Sequence, residues 1–302
     1  MKVRPFREAD AATVARLVTG SVRGQWTSRP EQFRVSSDPQ RRRLVAENGG
    51  EVVAAVHASP FGAGAPDALR LDFAGEGAAF SPLYLALLAD LPPGFSRLLG
   101  VTREDWPEQM RFFAAAGFRN AWQSWGAHLD LMTFDFERFR ALDEKLFVAG
   151  YEVGRWDNAA TEAEWDALYR LHRQGEADVP RNPTTSSTPL SREDWQRTLS
   201  EEAVFVVHDR GEPVGLTRLT LPGHHPLQTA REVESDFTAT HPAHRSHGLA
   251  TVLKAHALAW AAAEGYVVAG TGGTVLNLSM LRVNTRLGYV TEPMWVTWER
   301  HL

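Results

Sequence analysis

Residues 240–254, THPAHRSHGLATVLK, decide the fold, because inside them Arg245-Ser246-His247-Gly248-Leu249-Ala250 fits Arg/Gln-x-x-Gly-x-Gly/Ala. Such a pattern holds a pyrophosphate at the start of a helix. The stretch before it, Val233 to Thr240, alternates like a strand, and the stretch after it, Leu249 to Ala263, is rich in Ala and Leu like a buried helix. The first backbone N–H groups of a helix have no intrahelical acceptor and sit at the positive end of its dipole, so a turn of small residues there can wrap a diphosphate. Gly248 and Ala250 let the backbone come close to it.

Downstream, a strand-like YVVAGT (266–271) leads to Asn277, to a helical SMLRVNTRL, to Leu287-Gly288-Tyr289 and to a final strand-like MWVTWER. In order and spacing, the Arg245 to Ala250 loop, Asn277, the Met280-Leu281 to Asn284 helix and the Leu-Gly-aromatic close resemble the GNAT superfamily of acetyl-CoA-dependent N-acetyltransferases. The resemblance implies that the main-chain amides of Arg245, Ser246, His247, Gly248, Leu249 and Ala250 bind the pyrophosphate of acetyl-CoA. It also implies that Thr238, Ala239 and Thr240, on a splayed strand, and Asn277 and Asn284 complete the cofactor site.

Length and composition bound the rest. At 302 residues, with 43% apolar residues and ten tryptophans, the chain has material for two cores. No run of eighteen apolar residues exists, and the start MKVRPFREAD is charged where a signal peptide needs an apolar core, so the expected setting is cytoplasmic with no membrane partner. The absence of cysteine excludes disulfides, thiolate-ligated zinc and thiol nucleophiles. A net charge of −5 and a pI near 6.1 give no basic footprint for nucleic acid. A small-molecule or peptide amine is the expected acceptor, and the chain is expected to act as a monomer or homodimer.

The chain is also doubled. Val3 to Val18 has a counterpart in Val153 to Leu171, Leu44 to Pro60 in Phe205 to Pro222, and Phe95 to Phe118 in Tyr266 to Tyr289, at offsets of 150, 161 and 171. The expected fold is therefore mixed α/β, with two tandem GNAT-like domains. Each is a twisted, mostly antiparallel sheet with a splayed strand pair flanked by helices: a degenerate N-terminal domain over 1–140, and a C-terminal domain over 141–302 that keeps the acetyl-CoA site. Phe73 to Phe95 spans 22 residues where Phe237 to Tyr266 spans 29, so the first copy is seven short where the phosphate loop belongs. Glu76 stands there without an arginine, and Trp106 and Phe113 replace Asn277 and Asn284.

Acetyl transfer to an amine needs a base and a donor for the thioester oxygen as it becomes negative. Regular alternation sets Glu234, Asp236, Thr238 and Thr240 on one strand face, so either carboxylate, Glu234 or Asp236, is the candidate base. A salt bridge to Arg218 is the structural alternative. Many family members carry a proton-donating tyrosine where this chain has Asn284, and Tyr289 is expected to pack as a core aromatic. His241, His244 and His247, with His224 and His225, invite a metal reading, but they straddle a strand end and a turn, and no metal is expected. Residues 175–190 read as a loop over the acceptor or a solvated linker, with Trp195 at its edge a candidate acceptor contact. Arg41 to Arg43 reads as a solvated strand entrance. A thiol-glycoside amine acceptor, as in mycothiol-synthase-like tandem proteins, and a CoA-binding sensor without turnover stand as alternatives.

Overall fold

A computed structural model describes the chain apart from residues 24, 63, 158, 181–188, 200, 201 and 223–230. Two compact units divide the chain, and neither is a single continuous stretch.

The first unit comprises Met1–Ser124 together with Pro293–Leu302. Its chain runs β1 (Lys2–Pro5), α1 (Ala11–Ser21), β2 (Arg42–Asn48), β3 (Glu51–Pro60), β4 (Ala68–Gly75), α2 (Phe80–Leu88), β5 (Arg97–Arg103), α3 (Pro107–Ala115) and the start of β6 (Arg119–Asp130). The last strand of the chain, β13 (Trp295–His301), lies between β5 and β6. Every pairing is antiparallel except β4 with β5, which ends at Leu71 opposite Gly100. The core is strongly aromatic: Phe73, Phe80, Phe112, Phe113, Phe118 and Trp298 pack with the aliphatic residues of β3, β4 and α2.

The second unit is drawn from residues 125–292. After the end of β6 come α4 (Glu137–Val148), β7 (Tyr151–Arg155), α5 (Glu162–Asp178), α6 (Arg192–Thr198), β8 (Glu202–Asp209), β9 (Glu212–Thr220), β10 (Glu232–Thr240), α7 (Leu249–Ala263), β11 (Val268–Thr274), α8 (Leu278–Leu287) and the short β12 (Val290–Thr291). The strand order β7-β8-β9-β10-β11-β6, with β12 on the far side of β6, repeats that of the first unit, and again one neighbouring pair, β10 with β11, is parallel. The expected mixed α/β doubling, helices flanking largely antiparallel sheets, is present.

The two faces of the second sheet are covered by different helices. On β8, Val204 and Val206 join Trp165, Leu168 and Leu171 of α5, while Phe205 meets Trp260 of α7. On β9, Leu216 faces α5, and a Cβ on Gly215 would lie 3.0 Å from Leu253 of α7. Alternation thus sends successive side chains to opposite helices. Helix α5 begins at a capping box in which the Thr161 hydroxyl and the Glu164 carboxylate satisfy each other's backbone N–H groups. It continues to Asp178, so the first residues of the expected loop at 175–190 are helical, and 181–188 lie outside the described residues. Gly175 makes this extension possible, since a side chain there would collide with Ala239 and the Phe237 ring.

Candidate active site

Sequence periodicity fails at one place that matters. Between Glu234 and Phe237 the β10–β9 register shifts by one residue, a bulge. At its start, the Ser235 hydroxyl accepts a 2.6 Å hydrogen bond from Lys254 Nζ of α7. After it, Phe237 and Ala239 press on Gly175 of α5, where unbroken alternation would have kept them on the side of Ser235. Glu234 therefore shares the α5 side with Phe237 and Ala239, while Thr238 and Thr240 turn the other way. Thr238 meets the buried hydroxyl of Thr217 at 2.7 Å. The single-face arrangement of Glu234, Asp236, Thr238 and Thr240 does not occur.

The parallel β10–β11 pairing stops at Ser235 opposite Thr271. Beyond it the strands part, and a cleft of about 460 Å3 opens along Thr238, Ala239 and Thr240 toward Asn277, Met280 and Val283 of α8 and its N-cap. At one end lies the turn 245–250. Ser246 has φ +65° and Gly248 φ +94°, so two left-handed residues curl the backbone immediately before α7. A non-glycine residue in that region is strained, and such strain concentrates at working sites. A side chain at Gly248 would be strained in the same way and would come within 3.1 Å of Leu142. Among the described residues, the backbone N–H groups of Ser246, His247, Gly248, Leu249 and Ala250 meet no protein acceptor, whereas the carbonyl of Gly248 already accepts from Thr251 and Val252. Five consecutive free donors at the positive end of a fifteen-residue helix form an anion cradle.

Nine of the residues expected at the cofactor line this cleft: Thr238, Ala239, Thr240, Arg245, Ser246, Gly248, Leu249, Ala250 and Asn277. Two do not. His247 turns its ring to the His244 carbonyl, and Asn284, on the inner side of α8, is buried at 1% exposure, with both amide atoms unpartnered among the described residues. Asn277 caps α8 through its Oδ1, which accepts from Met280 N. The Arg245 guanidinium is ion-paired with Asp178 at the end of α5, and its Nε donates to the Thr240 carbonyl at 3.1 Å. Asp178 and Arg286 carried no motif signal, although Ser279, Val283 and Arg286 are spaced i, i+4, i+7, which marks one helix face.

The two candidate carboxylates differ sharply. Asp236 is exposed and held 3.0 Å from Arg218, the structural alternative read from the sequence. Glu234 lines a separate groove of about 340 Å3 with Gly126, His128 and Gly270. Burial, reinforced by the Asp236 charge and opposed by Lys254, pushes its carboxyl up to about 7. Lys254 itself, wholly buried, is brought down to about 7 by desolvation against the Glu234 charge. Its ammonium also lies over the Tyr289 ring, and Tyr289 is the core aromatic its Leu-Gly setting implied. Trp195 does not reach an acceptor: it is 1% exposed, stacked on His172 at 4.8 Å in the α5 core. His241, His244 and His247 are spent on Ala243 N, Tyr151 Oη and the His244 carbonyl, and among the described residues no group of acidic and histidine side chains converges on a metal position. His224 and His225 lie outside the described residues.

Comparison with known proteins places this geometry. Residues 165–289, which span α5 to the close of α8, match the model of the acetyltransferase (GNAT) family. They form a GNAT acetyltransferase domain. The chain thus carries an acyltransferase unit, and the turn at 245–250 and the splay of β10 from β11 belong to it. Solved structures share the fold over the whole chain. A GCN5-related N-acetyltransferase from Sphaerobacter thermophilus is 13% identical with a TM-score of 0.62, covering 99% of this chain and 95% of its own. A tandem GNAT protein from the clavulanic acid biosynthesis pathway is 19% identical with a TM-score of 0.55, covering 99% and 98%. A glucosamine N-acetyltransferase region in a fungal multi-domain GH3 β-N-acetylglucosaminidase is 14% identical with a TM-score of 0.63, covering 99% of this chain and 38% of that one. Curated protein sequences gave no match. Among the described residues no helix is long and apolar enough to cross a membrane.

Proposed function

We propose that the GNAT domain binds acetyl-CoA in the cleft at 238–250 and transfers the acetyl group directly to a primary amine of a small molecule or peptide. The observation that carries this reading is the run of five N–H groups from Ser246 to Ala250 that meet no acceptor among the described residues, beside Arg245 and at the mouth of the β10–β11 splay. In the bound state the diphosphate takes those donors and competes with Asp178 for Arg245. The edge of β10 beyond Ser235, which has no β11 partner, offers backbone N–H groups to the thioester oxygen.

Glu234 is the base this reading selects over Asp236. A carboxylate that titrates near 7 removes a proton from an ammonium far better than an exposed, ion-paired aspartate. Thr238 lies four residues along the strand, roughly 13 Å away, so the proton travels through water. With the ammonium proton on Glu234, the neutral amine attacks the thioester carbonyl, the C–S bond breaks, and the second proton leaves the nitrogen to solvent. The sulfur leaves as thiolate and takes its proton from solvent, because Asn284 has no acid to give and the Tyr289 hydroxyl is buried.

The first unit is proposed to have lost the cofactor grip. There the Glu76 N–H is already bonded to the Val53 carbonyl at 3.0 Å, and the Glu108 carboxylate sits over Gly77, against the start of α2, where a diphosphate would have to come. Release of free thiol from acetyl-CoA across a panel of primary amines, amino sugars included, tests the assignment. Turnover that disappears in Gly248→Asp supports it. Tight CoA binding without turnover on any amine would select the sensor reading instead.

A further inference from the structure

The first unit keeps a strand splay after losing the phosphate grip, and the splay is not filled. Beyond Leu71 and Gly100, β4 and β5 separate, and a cavity of about 250 Å3 remains between them, α1 and the segment carrying Trp26 and Phe33. Its walls are largely aromatic. Trp26 and Trp295 lie nearly parallel at 6.4 Å, Trp106 meets both edge-on at 5.7 and 5.3 Å, and Phe33 and Phe113 add further ring surface. A cavity of about 150 Å3 suffices for benzene, so this one has room for a fused ring pair.

One wall is charged, and one of its cations makes no ion pair among the described residues. The single carboxylate there among the described residues, Asp72, is held by Arg70 Nε at 2.9 Å. His57, opposite Arg43 in the β2–β3 register, is pushed down to about 4 by burial and then by Arg43, and is neutral at pH 7. Arg43 is different from its neighbours. Arg41 pairs with Asp38 and Arg42 with Asp90, but among the described residues Arg43 makes no ion pair: the carboxylate whose charge reaches it, Glu8, is itself held by Arg34 and by Val35 N. Its guanidinium lies over the rings of Phe6 and Phe33 at 5.0 and 5.2 Å, gives one hydrogen bond to the Arg34 carbonyl, and leaves Nε without an acceptor. The arginine run at 41–43 is thus not a uniformly solvated strand entrance. A half-buried cation without a direct ion pair is costly, and a bound anion relieves that cost. Trp106, on the same cavity wall, has an indole N–H with no acceptor among the described residues.

We propose that this cavity is a binding site, separate from the acetyl-transfer cleft, for a small aromatic carboxylate. The ring system lies among Trp26, Trp106, Trp295 and Phe113, and the carboxylate pairs with Arg43. The ring-lined wall selects a flat aromatic over a flexible acyl chain, and the lone cation selects an acid over its neutral analogue.

Calorimetry on the full chain with 2-naphthoate, 2-naphthalenemethanol and octanoate tests this. The expected result is one saturable site for 2-naphthoate, at least tenfold weaker binding of the alcohol and of octanoate, and loss of the acid's advantage over the alcohol in Arg43→Met. Val18→Trp, which fills the cavity from α1, should remove binding, with a thermal melt reporting that it folds. A crystal soaked with a brominated naphthoate places the ligand without recourse to either variant. Absence of saturable naphthoate binding, equal affinity for acid and alcohol, tighter binding of octanoate, or bromine density away from Trp106 and Arg43 would each overturn the proposal. The test does not depend on acetyl transfer.

Discussion

Two single residues carry most of the proposed chemistry. Gly248 is legible in the sequence because only a residue without a side chain tolerates φ +94° at the mouth of the cradle. Replacing it by aspartate adds backbone strain, a contact with Leu142 and a negative charge facing the diphosphate, and calorimetry should show CoA binding lost. Glu234 was legible only as one of two carboxylates. What separates it from Asp236 is burial, which depends on neighbours distant in sequence. Its acid form is dominant below about pH 7 and cannot accept a proton, so kcat/KM should climb as pH rises through 7 and fall away on the acid side. Glu234→Gln should lower kcat/KM by roughly 10²–10⁴ and abolish that limb. Lys254 holds the carboxyl lower than burial alone would, so Lys254→Met should move the limb to higher pH, and a pH–rate profile reads the shift. Trp195 taught the opposite lesson. Its place beside a polar loop suggested acceptor contact, yet the i, i+3, i+6 series Trp165, Leu168, Leu171 claimed it for the core. Trp195→Ala should therefore cost about 3–5 kcal/mol in urea unfolding.

At the scale of elements, strands and helices were readable almost to the residue around the cradle: the helix expected over Leu249 to Ala263 is α7 itself, and the strand expected over Val233 to Thr240 is β10 to within one residue. The bulge inside β10 was not. Hydrophobic alternation records which residues are buried, and Val233, Ser235 and Ala239 are all buried, so the pattern looks unbroken although Ser235 meets α7 and Ala239 meets α5. Register is a property of two strands and is invisible in one. The close passage of α5 over β10 hangs on Gly175. Gly175→Ala should cost about 1–3 kcal/mol despite alanine's better helix propensity, because the added Cβ meets Ala239 and the Phe237 ring on both sides. Thermal unfolding with and without CoA would show whether the cleft loosens with it.

For the whole molecule, duplication was plain from the three offset matches, but not that the final strand serves the first unit. Comparing halves along the chain treats each as contiguous, whereas β13 finds its partners in β5 and β6, roughly 170–200 residues earlier. Val296 and Trp298 reach the aromatic core of the first unit, and Arg97 and Arg119 both pair with Glu299. Deleting 293–302 should therefore abolish cooperative unfolding of the first unit, read by near-ultraviolet circular dichroism. The two copies are proposed to differ in their grip on the cofactor: among the described residues, two related folds carry one anion cradle. Isothermal titration of the intact chain with acetyl-CoA measures it most directly. One molecule bound per chain, with binding lost in Gly248→Asp and unchanged in Glu76→Ala, is the predicted result. Two molecules per chain, or full binding by the Gly248→Asp protein, would contradict it.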